Sequence, residues 1–132
     1  MTRVLLDTHI WIWAVMRPER LGRKLRREID ATRNELLLSP VSIWEASLLA
    51  QRKRLNLRCS FAEWLDTATA AVPVQEAPLN FNVAAEAGRI HLPQSDVGDI
   101  FLAATASVFD LTLATADQQL LGCKWLKVLS ND

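Results

Sequence analysis

Residues 3–9 read RVLLDTH, and the fold turns on how this short run is taken. Val4, Leu5 and Leu6 make an unbroken apolar stretch, too short for a helix and lacking the alternation of a half-exposed strand. Strands covered on both faces, as in parallel sheets, look like this. The stretch then stops on Asp7, whose carboxylate either caps a following helix or meets other acids at the end of a sheet.

Runs of the same kind recur at 35–39 (ELLLS), 72–75 (VPVQ), 111–115 (LTLAT) and 125–129 (WLKVL). Helical patterns lie between them. In LGRKLRREI (21–29), Leu21, Leu25 and Ile29 share one face and the basic residues the other. VSIWEASLLAQRK (41–53) aligns Ile43, Ala46, Leu49 and Ala50, and Ser60 opens another helix with Glu63 in capping-box register. Two more helices are expected at 80–89 and 98–109, with HLPQSDVG (91–98) as a loop. Strands alternating with helices predict an α/β layer fold around a central, mainly parallel sheet. Neither a repeat nor a linker interrupts the pattern, so 1–132 is expected to form one domain.

A chain of 132 residues, half of them hydrophobic, can bury roughly two-thirds of the surface its unfolded form exposes and build a core without staples. Cys59 and Cys123 have no CxxC spacing and no His pair beside them, which excludes a zinc-finger or disulfide framework and suits a reducing compartment. The N-terminal apolar run is too short for a signal peptide, and nothing approaches the roughly 20 apolar residues of a membrane span. A soluble, cytoplasmic protein is therefore expected. Net charge is zero, yet Arg17, Arg20, Arg23, Lys24, Arg26, Arg27 and Arg33 crowd one segment and Arg52, Lys53, Arg54 and Arg58 another. Such clusters serve either as solvated helix faces or as attractors of phosphate.

Ligands of open α/β sheets bind beyond the carboxyl ends of the strands. Asp7 follows the first strand, Glu45 lies early in the helix after the second, Asp99 opens the helix DIFLAATASVF with Asp96 three residues before it, and Asp117 follows LTLAT. Each has a plain structural use. Ser42 with Glu45, and Asp96 with Asp99, fit capping boxes; Asp7 can cap a helix and Asp117 a turn. Gathered at one edge, however, they would repel. Two carboxylates about 4 Å apart cost on the order of 4 kcal/mol at an effective dielectric of about 20, against a total stability of about 5–15 kcal/mol. Such a cluster needs protons or a cation. Oxygen ligands without Cys or paired His favour Mg²⁺ or Mn²⁺, ions that commonly act on phosphates. A polyanion approaching those acids needs positive charge nearby, which Arg23 to Arg27 could supply.

The segments LLDTH (5–9), SPVSIWEASL (39–48), DVGDIFLAATA (96–106) and LTLATAD (111–117) resemble, in order and spacing, those of the PIN-domain ribonucleases, in particular the VapC-type toxins of bacterial toxin–antitoxin pairs. The resemblance implies a three-layer PIN-like α/β fold and an acidic catalytic site at Asp7, Glu45, Asp99 and Asp117, with Asp96 matching an acid of only some members. It implies that these hold one or two Mg²⁺ or Mn²⁺ ions for RNA hydrolysis leaving 5′-phosphate and 3′-hydroxyl ends. Asp7 and Asp99 would anchor the ion, and Glu45 would hold or deprotonate the attacking water. Thr8 and Thr115 match hydroxyl positions that orient the acids, and His9 stands where many relatives carry Asn. A cognate antitoxin and a homodimer are the implied partners. Trp11, Trp13 and Trp44 are read as core or interface residues in preference to base-stacking platforms.

Two other functions fit parts of the pattern. A haloacid-dehalogenase-like phosphotransferase also begins with an Asp after a strand, but needs a second Asp two positions on, where this chain has His9. A catalytically inert PIN-like binding module would use the acids only as caps.

Overall fold

A computed structural model describes residues 1–132. Five strands form one sheet: β1 (Arg3–Leu6), β2 (Glu35–Leu38), β3 (Gln75–Glu76), β4 (Thr112–Thr115) and β5 (Lys127–Ser130). Their spatial order is β3-β2-β1-β4-β5, and every pairing is parallel. Seven helices cross between them: α1 (Thr8–Met16), α2 (Arg23–Asp30), α3 (Pro40–Gln51), α4 (Phe61–Ala71), α5 (Phe81–Ala87), α6 (Val97–Phe109) and α7 (Gln118–Leu121). A 3₁₀ turn at Pro18–Arg20 follows α1. No helix is long and apolar enough to cross a membrane.

Successive strand residues point to opposite faces, and two cores result. Val4, Leu6, Leu38 and Ala114 face Trp11 of α1, Leu25 of α2, Ala46 of α3 and Trp64 of α4. Leu5, Leu37 and Leu113 face the other layer, built on Leu102, Ala103 and Ala106 of α6 and Leu120 of α7. This is a three-layer α/β sandwich, and the uninterrupted apolar strands reflect burial on both sides. Trp11 is fully buried and meets Trp64 edge-on at 5.3 Å between ring centroids. Trp44 lies outside the core, 58% exposed.

Three local expectations are corrected. The third strand is Gln75–Glu76, not 72–75, because Val72 caps α4 and Pro73 has no N–H for the ladder. Ser42 does not open a capping box. Instead α3 begins at Pro40, and Ser39 Oγ accepts the Val41 N–H at 3.1 Å. Asp117 begins a helix, α7, where a turn was expected. By contrast, Ser60 caps α4 as expected, its Oγ accepting the Glu63 N–H at 3.2 Å, although the Glu63 carboxylate accepts from the Ser60 hydroxyl at 3.0 Å and not from its backbone N–H.

Candidate functional site

Two strand neighbours, β1 and β4, send their chains to opposite faces of the sheet, α1 to one layer and α7 to the other. A crevice opens at such a switch point, beyond the carboxyl ends of the strands. Asp7 ends β1 there, and its backbone extends the ladder by donating its N–H to the Ala114 carbonyl at 3.0 Å. Asp117 follows β4. Glu45 arrives from the second turn of α3, and Asp96 and Asp99 from the start of α6. All five line one cleft of about 330 Å³ together with Thr8, His9, Trp13 and Ala116.

Asp7 occupies the N-cap position of α1, yet its carboxylate caps nothing. It accepts instead from Thr115 Oγ1 at 2.7 Å, and that same hydroxyl oxygen accepts the Asp117 N–H at 3.0 Å. Thr8 does the matching work for Glu45. Its Oγ1 lies 2.5 Å from Glu45 Oε1 and 2.9 Å from the fully buried Ser42 Oγ. A carboxylate can only accept and Thr8 has one proton, so the chain runs from Ser42 to Thr8 to Glu45. Asp96 and Asp117 do have structural work: their carboxylates cap α6 and α7, accepting from Asp99 N–H at 2.9 Å and Leu120 N–H at 3.0 Å.

No Lys or Arg lines the cleft, and the molecule's ion pairs lie elsewhere. The consequence is electrostatic. Burial, and then the neighbouring charges of Asp96, Asp7, Asp117 and Glu45, push the Asp99 carboxyl up to about 7. Burial raises the Glu45 carboxyl too, against the Thr8 hydrogen bond that favours its ionised form. Asp7 is only 7% exposed, and desolvation raises it despite the hydrogen bond from Thr115.

These side chains do not converge as a closed coordination cage of three or more His, Cys, Asp or Glu groups. Mg²⁺ does not require one, since it keeps several waters and is usually held by one or two carboxylates plus substrate phosphates. Oxygen donors without a balancing cation fit such an ion. His9, exposed at the rim, places an imidazole beside the acids.

Gly98, the second residue of α6, is a site feature that the sequence pattern did not single out. A Cβ there would overlap the Glu45 carboxyl group, with its Cδ at 2.7 Å. The signal was present as a glycine between two acids at a helix start, where only close approach by another group justifies it.

The PIN domain family model matches residues 4–122. Ribonuclease VapC22 of Mycobacterium tuberculosis is 32% identical over 123 residues, 91% of each chain. Among solved structures, the DNA-bound VapBC of Salmonella typhimurium aligns with a TM-score of 0.73 at 14% identity over 100% of both chains. VapBC-5 of Mycobacterium tuberculosis, a member of the VapBC family of toxin–antitoxin systems, aligns with a TM-score of 0.66 at 18% identity, over 98% of this chain and 99% of that one. Those structural likenesses extend to the fold. The family match runs from β1 through α7, over every strand end that carries an acid of the cleft, and this chain belongs to the PIN domain family.

Proposed function

We propose that the protein is a divalent-metal-dependent endoribonuclease, the toxin of a toxin–antitoxin pair, acting through the acidic cleft. The observation that carries this is the convergence of five carboxylates, from the ends of β1 and β4, the second turn of α3 and the start of α6, in a cleft that no Lys or Arg lines. Two of the five earn their place as helix caps; Asp7, Glu45 and Asp99 cap nothing. An inert module has no physical use for three mutually repelling acids, one buried and two half-buried, and that cost argues against it.

Asp7 and Asp99, supported by Asp117 and Asp96, would hold Mg²⁺ or Mn²⁺. When bound, such an ion neutralises the cluster and acts as a Lewis acid toward phosphoryl oxygen and water. The chain's own residues do the positioning. Thr115 fixes the Asp7 carboxylate and Thr8 that of Glu45. Glu45, with its proton affinity raised by burial, is suited to take a proton from the attacking water. Attack by water on the phosphorus with cleavage of the P–O3′ bond leaves a 5′-phosphate, and the departing 3′ oxygen takes up a proton to become a 3′-hydroxyl. The likeness to VapBC toxin–antitoxin proteins supports a cognate antitoxin as partner, and exposed Trp44 and Phe81 are apolar surface that an antitoxin or a second copy would cover.

The test is cleavage of a mixed cellular RNA pool by purified, antitoxin-free protein with Mg²⁺ or Mn²⁺, beside EDTA and an Asp99→Asn variant of confirmed folding. Discrete products that vanish with EDTA and in the variant are expected. Equal cleavage by both proteins, or none by either across pools from several sources, would sink the proposal.

A further inference from the structure

Beside the acidic cleft runs a groove of about 530 Å³ with the opposite charge, and His9 and Trp13 line both. The groove carries Arg17, Arg20 and Arg54 and no acid. None of the three enters an ion pair. Its floor is apolar, formed by Ile12, Met16, Leu49 and Leu55. By contrast, Arg23, Lys24, Arg26 and Arg27 of α2, the residues expected to draw phosphate, line neither the cleft nor this groove.

The groove is built before anything enters it. The guanidinium of Arg20 lies over the Trp13 ring, 5.0 Å from its centroid. Asn131 fastens the turn that carries Arg20: its Oδ1 accepts the Gly22 N–H at 2.6 Å and its Nδ2 donates to the Arg20 carbonyl at 3.1 Å. Lys53, at the end of α3, adopts a left-handed conformation (φ 57°), and the chain turns there into Arg54. Free guanidinium forks match phosphate oxygens in charge and geometry. Apolar and aromatic surface beside them suits unstacked bases, which a single strand exposes and a duplex hides.

Resting on the nuclease assignment above, we propose that this groove cradles the single-stranded RNA flanking the scissile bond. Arg17, Arg20 and Arg54 take backbone phosphates, and the bases lie against the apolar floor. These arginines are positioning residues. They offset the repulsion between a polyanion and the acids next door, and they set where along the strand the cleft acts.

Binding is measured in the Asp99→Asn background with Mg²⁺, using a short fluorescent single-stranded RNA of mixed sequence and its duplex. R17Q/R20Q/R54Q is compared with R23Q/R26Q/R27Q, which removes equal charge from α2. The groove triple should weaken single-strand binding at least about tenfold and flatten the slope of log Kd against log salt by about 2, at about 0.7 for each single-strand phosphate contact. The α2 triple should change both far less, and the duplex should bind more weakly than the single strand. In the protein with Asp99 intact, the groove triple should raise KM and leave kcat within about twofold. Should the triple fold poorly, Arg54→Gln alone, at an exposed side chain, should shift the slope by about 0.7.

An unchanged Kd and slope overturns the inference and leaves the groove to an acidic protein segment. Equal losses in the two triples overturn it in favour of diffuse attraction. A fall in kcat at constant KM overturns it by showing a distorted cleft. Arginine-dependent binding without cleavage by the Asp99 protein would remove the nuclease assignment and keep the RNA groove, whereas cleavage with unaltered binding would do the reverse.

Discussion

Gly98 separates holding the fold from holding the site. The atoms that a Cβ would strike there belong to the end of the Glu45 side chain, which can swing away, and not to backbone. Gly98→Ala should therefore leave thermal stability within a few degrees, since in the first turn of α6 the preference for Ala over Gly is at most the roughly 1 kcal/mol of a helix interior. Cleavage should nonetheless fall about as far as in Glu45→Gln, because the displaced carboxylate loses the hydroxyl of Thr8. Paired melting and RNA-cleavage assays check this; a variant that melts early, or one that cuts normally, contradicts it. The places of Asp7, Glu45 and Asp117 at the cleft were legible in the sequence because Asp7 and Asp117 follow strands and Glu45 lies in the helix after one, and that of Asp99 because it stands in the first turn of α6, so local pattern and tertiary position coincide. Gly98 and Ser42 were not. Their roles depend on which residue of a distant segment faces them, Glu45 in one case and Thr8 in the other.

Helix ends carry much of the site, and there capping and charge can be pulled apart. Asp117 accepts the Leu120 N–H at the start of α7. Asparagine keeps that acceptor and alanine does not. Asp117→Asn should hold stability within about 0.5 kcal/mol, and Asp117→Ala should lose about 1 kcal/mol. Both remove the same charge, so a loss of cleavage common to both belongs to the charge, and a loss confined to Ala belongs to the cap. Urea unfolding beside RNA cleavage makes the distinction. The longer elements were legible: α3 and α6 end within about two residues of the periodic runs that predict them, within the ordinary scatter of helix ends. The short ones were not, since α7 spans four residues and β3 two, too few for a period to show. The basic segments were visible as charge, but their facing was not. The basic residues that line the groove come from the turn after α1 and the loop after α3, brought together only by packing.

Across the whole molecule, a net charge of zero conceals an acidic cleft joined to a basic groove. The acids set the pH dependence of stability. Asp99, at about 7, and Asp7 and Glu45 all hold their protons more tightly in the folded protein than carboxyls ordinarily do, burial being the first cause in each. Between the ordinary carboxylate range and about pH 7, the folded state thus binds more protons than the unfolded chain, and stability falls as pH rises through that window. In EDTA the melting temperature should decline from about pH 5 to about pH 8; millimolar Mg²⁺ should restore it at the upper end and do little at the lower. A flat profile in EDTA would show that the cluster is not strained. The parallel order β3-β2-β1-β4-β5 also fixes when the cleft can exist. The Thr115 hydroxyl that steadies Asp7 lies 108 residues further along the chain, and β1 keeps one edge open until β4 arrives. A chain emerging from the ribosome therefore carries Asp7 and Glu45 long before it can assemble them with Asp99 and Asp117. Until Thr115 and Asp117 have been made, a growing copy of the protein holds its acids apart, and whatever the whole cleft does must wait for β4.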